Sequence, residues 1–238
     1  MKLISRWFPF ISIAILFLTA SPGYGADLTE VIATLEQGYN SLADVQADFS
    51  QRTAIASMKR EEHGNGELFI KKAGGGHAMF RFNYTKPRQQ IISDGKSVWY
   101  YLPDNKQVMV SDVTTLFAGG NGIALNYLTG MGHVSQDFTI TFAGEGRDKK
   151  GNYVLDLAPK KPNQVMTRLR LTIAAAAVEQ YRQSGKPLVL FPIVSSAVDD
   201  PFGNRTVIEF SRVRVNQGLA KDRFAFKIPK GVEVIKNK

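Results

Sequence analysis

The sequence predicts a mainly β fold with some α: about eleven antiparallel strands curled into a hollow, lidded half-barrel, with one amphipathic helix at the N-terminal end. Three observations predict it. The apolar period changes from 3.6 to 2 near residue 43. Turn-forming residues separate the alternating runs at short intervals, as in an antiparallel meander. One apolar stretch, residues 111–132, interrupts the meander and carries Gly119-Gly120-Asn121-Gly122 in its middle. A sheet of this width must curl to bury one face, and it encloses more volume than side chains readily fill. A helix laid on the concave face would close it.

The chain has 238 residues, 44% hydrophobic and 21% charged, which fits one large globular domain and excludes a disordered or multi-span membrane protein. It has no cysteine, so disulfides, thiolate metal sites, cysteine nucleophiles and lipid-accepting cysteines are excluded. Three scattered histidines offer no metal-binding pattern, and no cofactor is expected. Lys2 and Arg6 precede a short apolar run, Phe10 to Ala20, too short to span a bilayer as a helix. Gly23 and Gly25 occupy the −3 and −1 positions of a cut after Gly25. The expectation is a signal peptide over 1–25 and a single domain over 26–238 in the periplasm. Losing Lys2 and Arg6 takes the formal charge from +9 to +7. A basic exported protein favours an anionic protein or membrane partner over nucleic acid.

Asp27-Leu28-Thr29-Glu30 reads as a capping box. Leu28, Val31, Ile32, Leu35, Tyr39 and Leu42 then follow at helical spacing and predict a helix ending near Ala43. Strands are predicted from alternation at 45–51, 66–71, 79–84, 90–93, 98–102 and 107–110. Asp94-Gly95 is the sharpest hairpin signal. Residues 111–132 read as two short helices about a glycine joint. Further strands are predicted at 137–142, 153–157, 166–173, 188–198, 206–210 and 224–228. Residues 174–185 stay open between helix and extended arm: four alanines favour helix, the flanking strands an arm.

Several segments resemble the periplasmic outer-membrane lipoprotein carrier family, LolA. These are Phe80-Arg81-Phe82-Asn83-Tyr84, Ser93-Asp94-Gly95-Lys96-Ser97-Val98-Trp99-Tyr100-Tyr101, Asp200-Pro201-Phe202-Gly203-Asn204 and Phe224-Ala225-Phe226-Lys227-Ile228-Pro229-Lys230-Gly231-Val232. The resemblance implies an unclosed β-barrel whose helices cover a hydrophobic cavity for lipoprotein acyl chains. It implies two further partners, an inner-membrane ABC transporter that loads the carrier and an outer-membrane receptor that unloads it. It also implies a release function for an arginine after the second strand, where only Lys72 can stand in. The receptor of the same fold is itself a lipoprotein and would need a cysteine, so the resemblance points to the shuttle, a monomer.

The candidate acyl-binding residues are Leu28, Val31, Ile32, Leu35 and Tyr39 on the helix, with Phe80, Phe82, Trp99, Tyr101 and Met109 on the strands. The candidate lid residues are Leu116, Phe117, Ile123, Leu125 and Leu128. An ordinary core would use the same apolar stripe, and both readings stand at this stage. No catalytic motif is present: Gly74-Gly75-Gly76-His77 lacks the Lys-Ser/Thr of a phosphate loop, and there is no Gly-x-Ser-x-Gly or His-Glu-x-x-His. Two other readings remain: a carrier or sensor of another amphiphile such as a phospholipid, and a non-binding structural envelope protein.

Overall fold

The computed structural model describes residues 25–72, 78–113, 133–161 and 166–236. The expected signal peptide up to residue 24 and the expected lid residues Leu116, Phe117, Ile123, Leu125 and Leu128 lie outside the described residues.

Helix α1, Leu28–Asn40, begins at the expected capping box. The Asp27 carboxylate accepts from Glu30 N at 2.8 Å, and the Glu30 carboxylate accepts from Asp27 N at 2.9 Å. Twelve strands follow among the described residues. They are β1 Asp44–Ile55, β2 Arg60–Lys71, β3 Met79–Lys86, β4 Gln89–Ser93, β5 Ser97–Leu102, β6 Gln107–Asp112, β7 Phe138–Arg147, β8 Tyr153–Pro159, β9 Arg168–Ile173, β10 Ile193–Asp199, β11 Arg205–Val215 and β12 Glu233–Lys236. They form one open, curled sheet in the order β12-β6-β5-β4-β3-β2-β1-β11-β10-β9-β8-β7. All neighbours are antiparallel except β12, which runs parallel to β6. A short helix α2, Val134–Asp137, precedes β7, and helix α3, Ala175–Ser184, follows β9. The alanine-rich stretch is therefore helical, ended by Gly185 in the left-handed region at φ 66°.

Alternation divides the sheet into two faces. The inner face carries Val45, Ala47 and Phe49 of β1, Leu68 and Ile70 of β2, and Phe80 and Phe82 of β3. It continues through Leu155 and Leu157 of β8, Leu169 and Leu171 of β9, and Ile208 and Phe210 of β11. All of these are buried. Most of them join one continuous apolar cluster with Val31, Leu35 and Tyr39 of α1.

The outer face is polar on the β7–β11 side. Arg170 is directly opposite Asp156 and binds its carboxylate with two hydrogen bonds of 2.7 and 3.0 Å. On the β2–β6 side the outer face is apolar, and a C-terminal segment covers it. Leu219 and Phe224 pack with Phe69 and Met79, and Phe226 packs on Trp99 and Tyr101. The segment is clipped to the start of β1 by the buried Asp44 carboxylate, which accepts from the amides of Gln217, Gly218 and Leu219 at 2.8–3.0 Å.

This arrangement corrects two sequence expectations. Residues 224–228 alternate like a strand but lie across the outer face, Phe224 closing a 3-10 turn over Lys221–Phe224. The C-terminal strand is instead β12. Residues 188–192 are irregular and pack against α1, so only 193–199 pair as a strand.

β3 bulges against β2, with Thr85 the extra residue between the Asn65–Lys86 and Gly66–Tyr84 pairs. Gly66 lies between Phe49 and Tyr84 across the sheet. The rings of Phe49 and Tyr84 meet edge-to-face over it, with centroids 4.8 Å apart. A Cβ at Gly66 would stand 1.9 Å from the backbone oxygen of Asn83.

Gly66→Ala should therefore destabilise the fold by at least about 2 kcal/mol, read as a lowered denaturation midpoint. Asp156 gives a pH prediction. Its hydrogen bond to Arg170 holds its carboxyl below the usual carboxylate range. Its contribution is thus fully present above the unfolded value of about 3.9 and is lost as pH falls through the lower folded value. Asp156→Asn should flatten the acid limb of the stability–pH curve without changing the alkaline limb.

Candidate functional site

The site is the contact between α1 and the inner face. Val31, Leu35 and Tyr39 fall on one side of α1 by the 3.6-residue period and are fully or almost fully buried. Each contributes about 1.5–3 kcal/mol by leaving water. Burial pushes the Tyr39 phenol well above its ordinary pKa, so the ring stays neutral, and it packs on Phe191 with centroids 5.9 Å apart. Leu28 packs partly buried against the same cluster. Ile32 is half-buried and stands to one side of this stripe.

The helix is held from four directions. Gly38 allows the backbone at 189–190 to approach so closely that a Cβ would lie 3.0 Å from Leu190 O. That close approach is the reason for a glycine inside the helix. Gln37 donates to the Tyr181 hydroxyl of α3 at 2.6 Å, and Arg182 of α3 bonds Glu30 at 3.3 Å. Glu36 accepts from both the amide and the hydroxyl of Ser135 at 2.8 and 2.7 Å, tying the helix to the start of α2. Lys72, just after β2, donates its ammonium to the carbonyl oxygens of Tyr39 and Asn40. A cation on the last carbonyls of a helix is favoured by the helix dipole. Desolvation there lowers the Lys72 pKa.

The register decides which predicted strand residues share this site. Phe80 lies opposite Ile70 and Ser93, and Phe82 opposite Leu68 and Ile91. Met109 joins them through Tyr100, which is paired with both Ile91 and Met109. Trp99 and Tyr101 do not join them. They are one residue out of step with Tyr100, so the pleat turns them to the outer face, where Phe226 covers them at 6.1 and 5.3 Å. The structure adds residues outside the predicted set to this apolar cluster: Leu155, Leu157, Leu169, Leu171 and Phe210 from the inner face, and Phe191 from the irregular segment against α1. The strict alternation of Leu169-Arg170-Leu171 was the signal for two of them.

The arrangement offers an extensive apolar surface and little reactive chemistry. Among the described residues no group of three or more His, Asp or Glu side chains is placed to hold a metal ion. None of the described helices is long and apolar enough to cross a membrane.

Comparison with known proteins bears on this geometry. A family model described as outer membrane lipoprotein carrier protein LolA matches residues 40–183. An outer-membrane lipoprotein carrier protein of Chromobacterium violaceum is 33% identical over 205 residues, covering 86% of each chain. One from Pseudomonas aeruginosa is 29% identical over 213 residues, covering 88% of this chain and 89% of its own. Among solved structures, a LolA superfamily protein of Nitrosomonas europaea aligns with a TM-score of 0.40 at 13% identity, over 83% of this chain and 97% of its own.

The role of Lys72 in holding α1 is open to test. Lys72→Met keeps the apolar stem and removes the ammonium, and it should cost about 1 kcal/mol of stability. Amide exchange should speed up selectively in the last turn of α1, and Lys72→Arg should restore both.

Proposed function

The chain belongs to the outer membrane lipoprotein carrier protein LolA family, and from that premise we propose that it is a periplasmic carrier that shelters the acyl chains of lipoproteins. In this reading it accepts them from an inner-membrane lipoprotein-releasing ABC transporter and passes them to an outer-membrane receptor. The family is one of carriers, not enzymes. One observation supports the reading most: an apolar helix stripe lies across the apolar inner face of a sheet that stays open, in one connected cluster. Acyl chains need only an apolar surface screened from water, and separating α1 from the sheet would provide it.

The energetics favour a site that is filled when empty of cargo. A chain of about fifteen methylenes gains roughly 0.8 kcal/mol per methylene on burial, about 12 kcal/mol in all. Several chains buried completely would exceed the practical ceiling of about 18–21 kcal/mol and could not be released. Displacing the contacts of Val31, Leu35 and Tyr39 with the inner face offsets part of that gain. Phe80, Phe82 and Met109 would then face the acyl chains together with Leu28, Val31, Ile32, Leu35 and Tyr39. Lys72, bonded to the end of α1, would oppose the opening, and its release would accompany loading.

Ile32 is the best place to test this, because it is half-buried and lies outside the fully buried stripe. Ile32→Asp should leave thermal unfolding nearly unchanged and weaken binding of a fluorescent fatty acid about tenfold, since a carboxylate would be desolvated beside the chain. Unchanged affinity in a folded variant would place the ligand elsewhere.

A further inference from the structure

The inner face changes character toward one end of its strands. Along β1 it runs Val45, Ala47, Phe49 and then Gln51 and Thr53; along β3 it runs Phe80, Phe82 and then Tyr84. The register carries the change across the sheet, with Gln89 opposite Tyr84, Tyr100 opposite Ile91 and Thr206 opposite Thr53. These polar side chains are half-buried, and they are linked. The Tyr84 hydroxyl donates to Gln51 Oε1 at 2.8 Å, and Gln51 Nε2 donates to Thr53 Oγ1 at 3.2 Å. The Thr53 and Thr206 hydroxyls lie 3.2 Å apart, and the Tyr100 hydroxyl donates to Gln89 Oε1 at 2.7 Å. The row adjoins the apolar surface directly. The Tyr84 ring stacks beside Phe82 with centroids 6.4 Å apart and lies over Gly64, where a Cβ would stand 3.1 Å from it.

The tyrosines orient the glutamines. Burial holds both phenols above their ordinary pKa, so both stay protonated and donate at neutral pH. Each glutamine thus spends its amide oxygen on a tyrosine and keeps its amide nitrogen as the donor. Among the described residues Gln89 Nε2 has no acceptor, and Gln51 Nε2 uses one of its two hydrogens. The charges next to the row are balanced: Glu62, opposite Thr53, is bonded by Arg60, and Arg88 of the β3–β4 turn faces Asp104 at 3.9 Å. No free cation stands there to hold a phosphate or a carboxylate. Neutral donors bordering an apolar face match a neutral acceptor at the end of an apolar ligand, and an ester carbonyl is such an acceptor.

We propose that this row is a subsite for the ester carbonyls at the head of bound acyl chains, with Gln89 and Gln51 as the donors and Tyr100 and Tyr84 as positioning residues. The proposal rests on the acyl-chain reading and deepens it. Chains laid along Phe80, Phe82 and Met109 bring their carbonyls to the row, where the apolar surface ends. The row therefore selects ester-linked chains over bare alkyl chains of the same length.

The test is displacement of a fluorescent fatty acid from the full chain, without its leader, by two competitors. One is a cysteine peptide whose thioether-linked glycerol carries two palmitoyl esters; its twin carries two hexadecyl ethers. The ester peptide should bind about tenfold more tightly than the ether twin. The double variant Gln51→Leu, Gln89→Leu should bring that ratio close to one, with thermal unfolding checking that it is folded. Gln89→Glu is the second variant, because its carboxylate still accepts from Tyr100 and has no hydrogen to donate; it should lower the ratio too. Equal binding of ester and ether by the wild type overturns the subsite and leaves the acyl-chain reading standing. Displacement by neither peptide overturns both. A folded double variant that keeps the full ratio overturns the assignment to these glutamines. Dipalmitoyl phosphatidylglycerol has the same esters and a phosphate, and it should compete less well than the ester peptide. Stronger competition by the phospholipid would assign the subsite to phospholipid esters and overturn the lipoprotein reading.

Discussion

The open sheet, twelve strands among the described residues and antiparallel except for β12, has an apolar inner face that its own curl cannot close, and the rest of the molecule is arranged around covering it. Helix α1 provides the cover. Its stripe is only three fully buried side chains wide, Val31, Leu35 and Tyr39, so its position is fixed as much by its ends and flanks as by burial. The capping box fixes the first turn, Lys72 the last carbonyls, α3 one flank and Glu36–Ser135 another. Polar bonds at the edges of an apolar contact can be exchanged for water at little net cost, whereas burial of the stripe resists opening until another apolar surface replaces it. A cover built this way can yield to acyl chains and stay shut against water, which is the property the proposed carrier requires.

The outer face solves the same problem twice. Under β7–β11 it is wet, and ion pairs such as Arg170–Asp156 occupy the positions opposite the leucines of the core. Under β2–β6 it is apolar, and the C-terminal segment lies over it, with Asp44 gripping three successive amides and Phe224 wholly buried. The segment then adds β12 to the exposed edge of β6. Covering that edge removes a row of unpaired backbone groups that would otherwise invite pairing with other chains.

Much of this was legible in the sequence because each signal was local. The capping box, the helix stripe and the Asp94-Gly95 turn are set by residues a few positions apart. In that turn the Asp94 carboxylate bonds the amides of Lys96 and Ser97, and Gly95 takes a φ of 90°. The sheet as a whole was readable from alternation. What was not readable depends on contacts between distant segments. Trp99 and Tyr101 alternate as cleanly as Phe80 and Phe82, and nothing in either run says which face the C-terminal segment will cover. Phe224 and Phe226 read as a strand because packing on a flat sheet face also favours every second residue. Nothing local accounts for a glycine at position 38, and the reason for it is visible only once residues 189–190 are placed against the helix. Lys72 was singled out by resemblance, while its bonds to Tyr39 and Asn40 required the fold.

The central claim is that the apolar contact between α1 and the inner face is the place where lipoprotein acyl chains are sheltered. The most direct measurement is native mass spectrometry of the protein recovered from the periplasm of cells in which it is expressed, with fragmentation of whatever remains bound. The account predicts adducts whose acyl chains are covalently attached to polypeptide, displaced when α1 is cross-linked to the sheet. A protein carrying only free phospholipid, or one whose adducts persist with α1 locked in place, would contradict it.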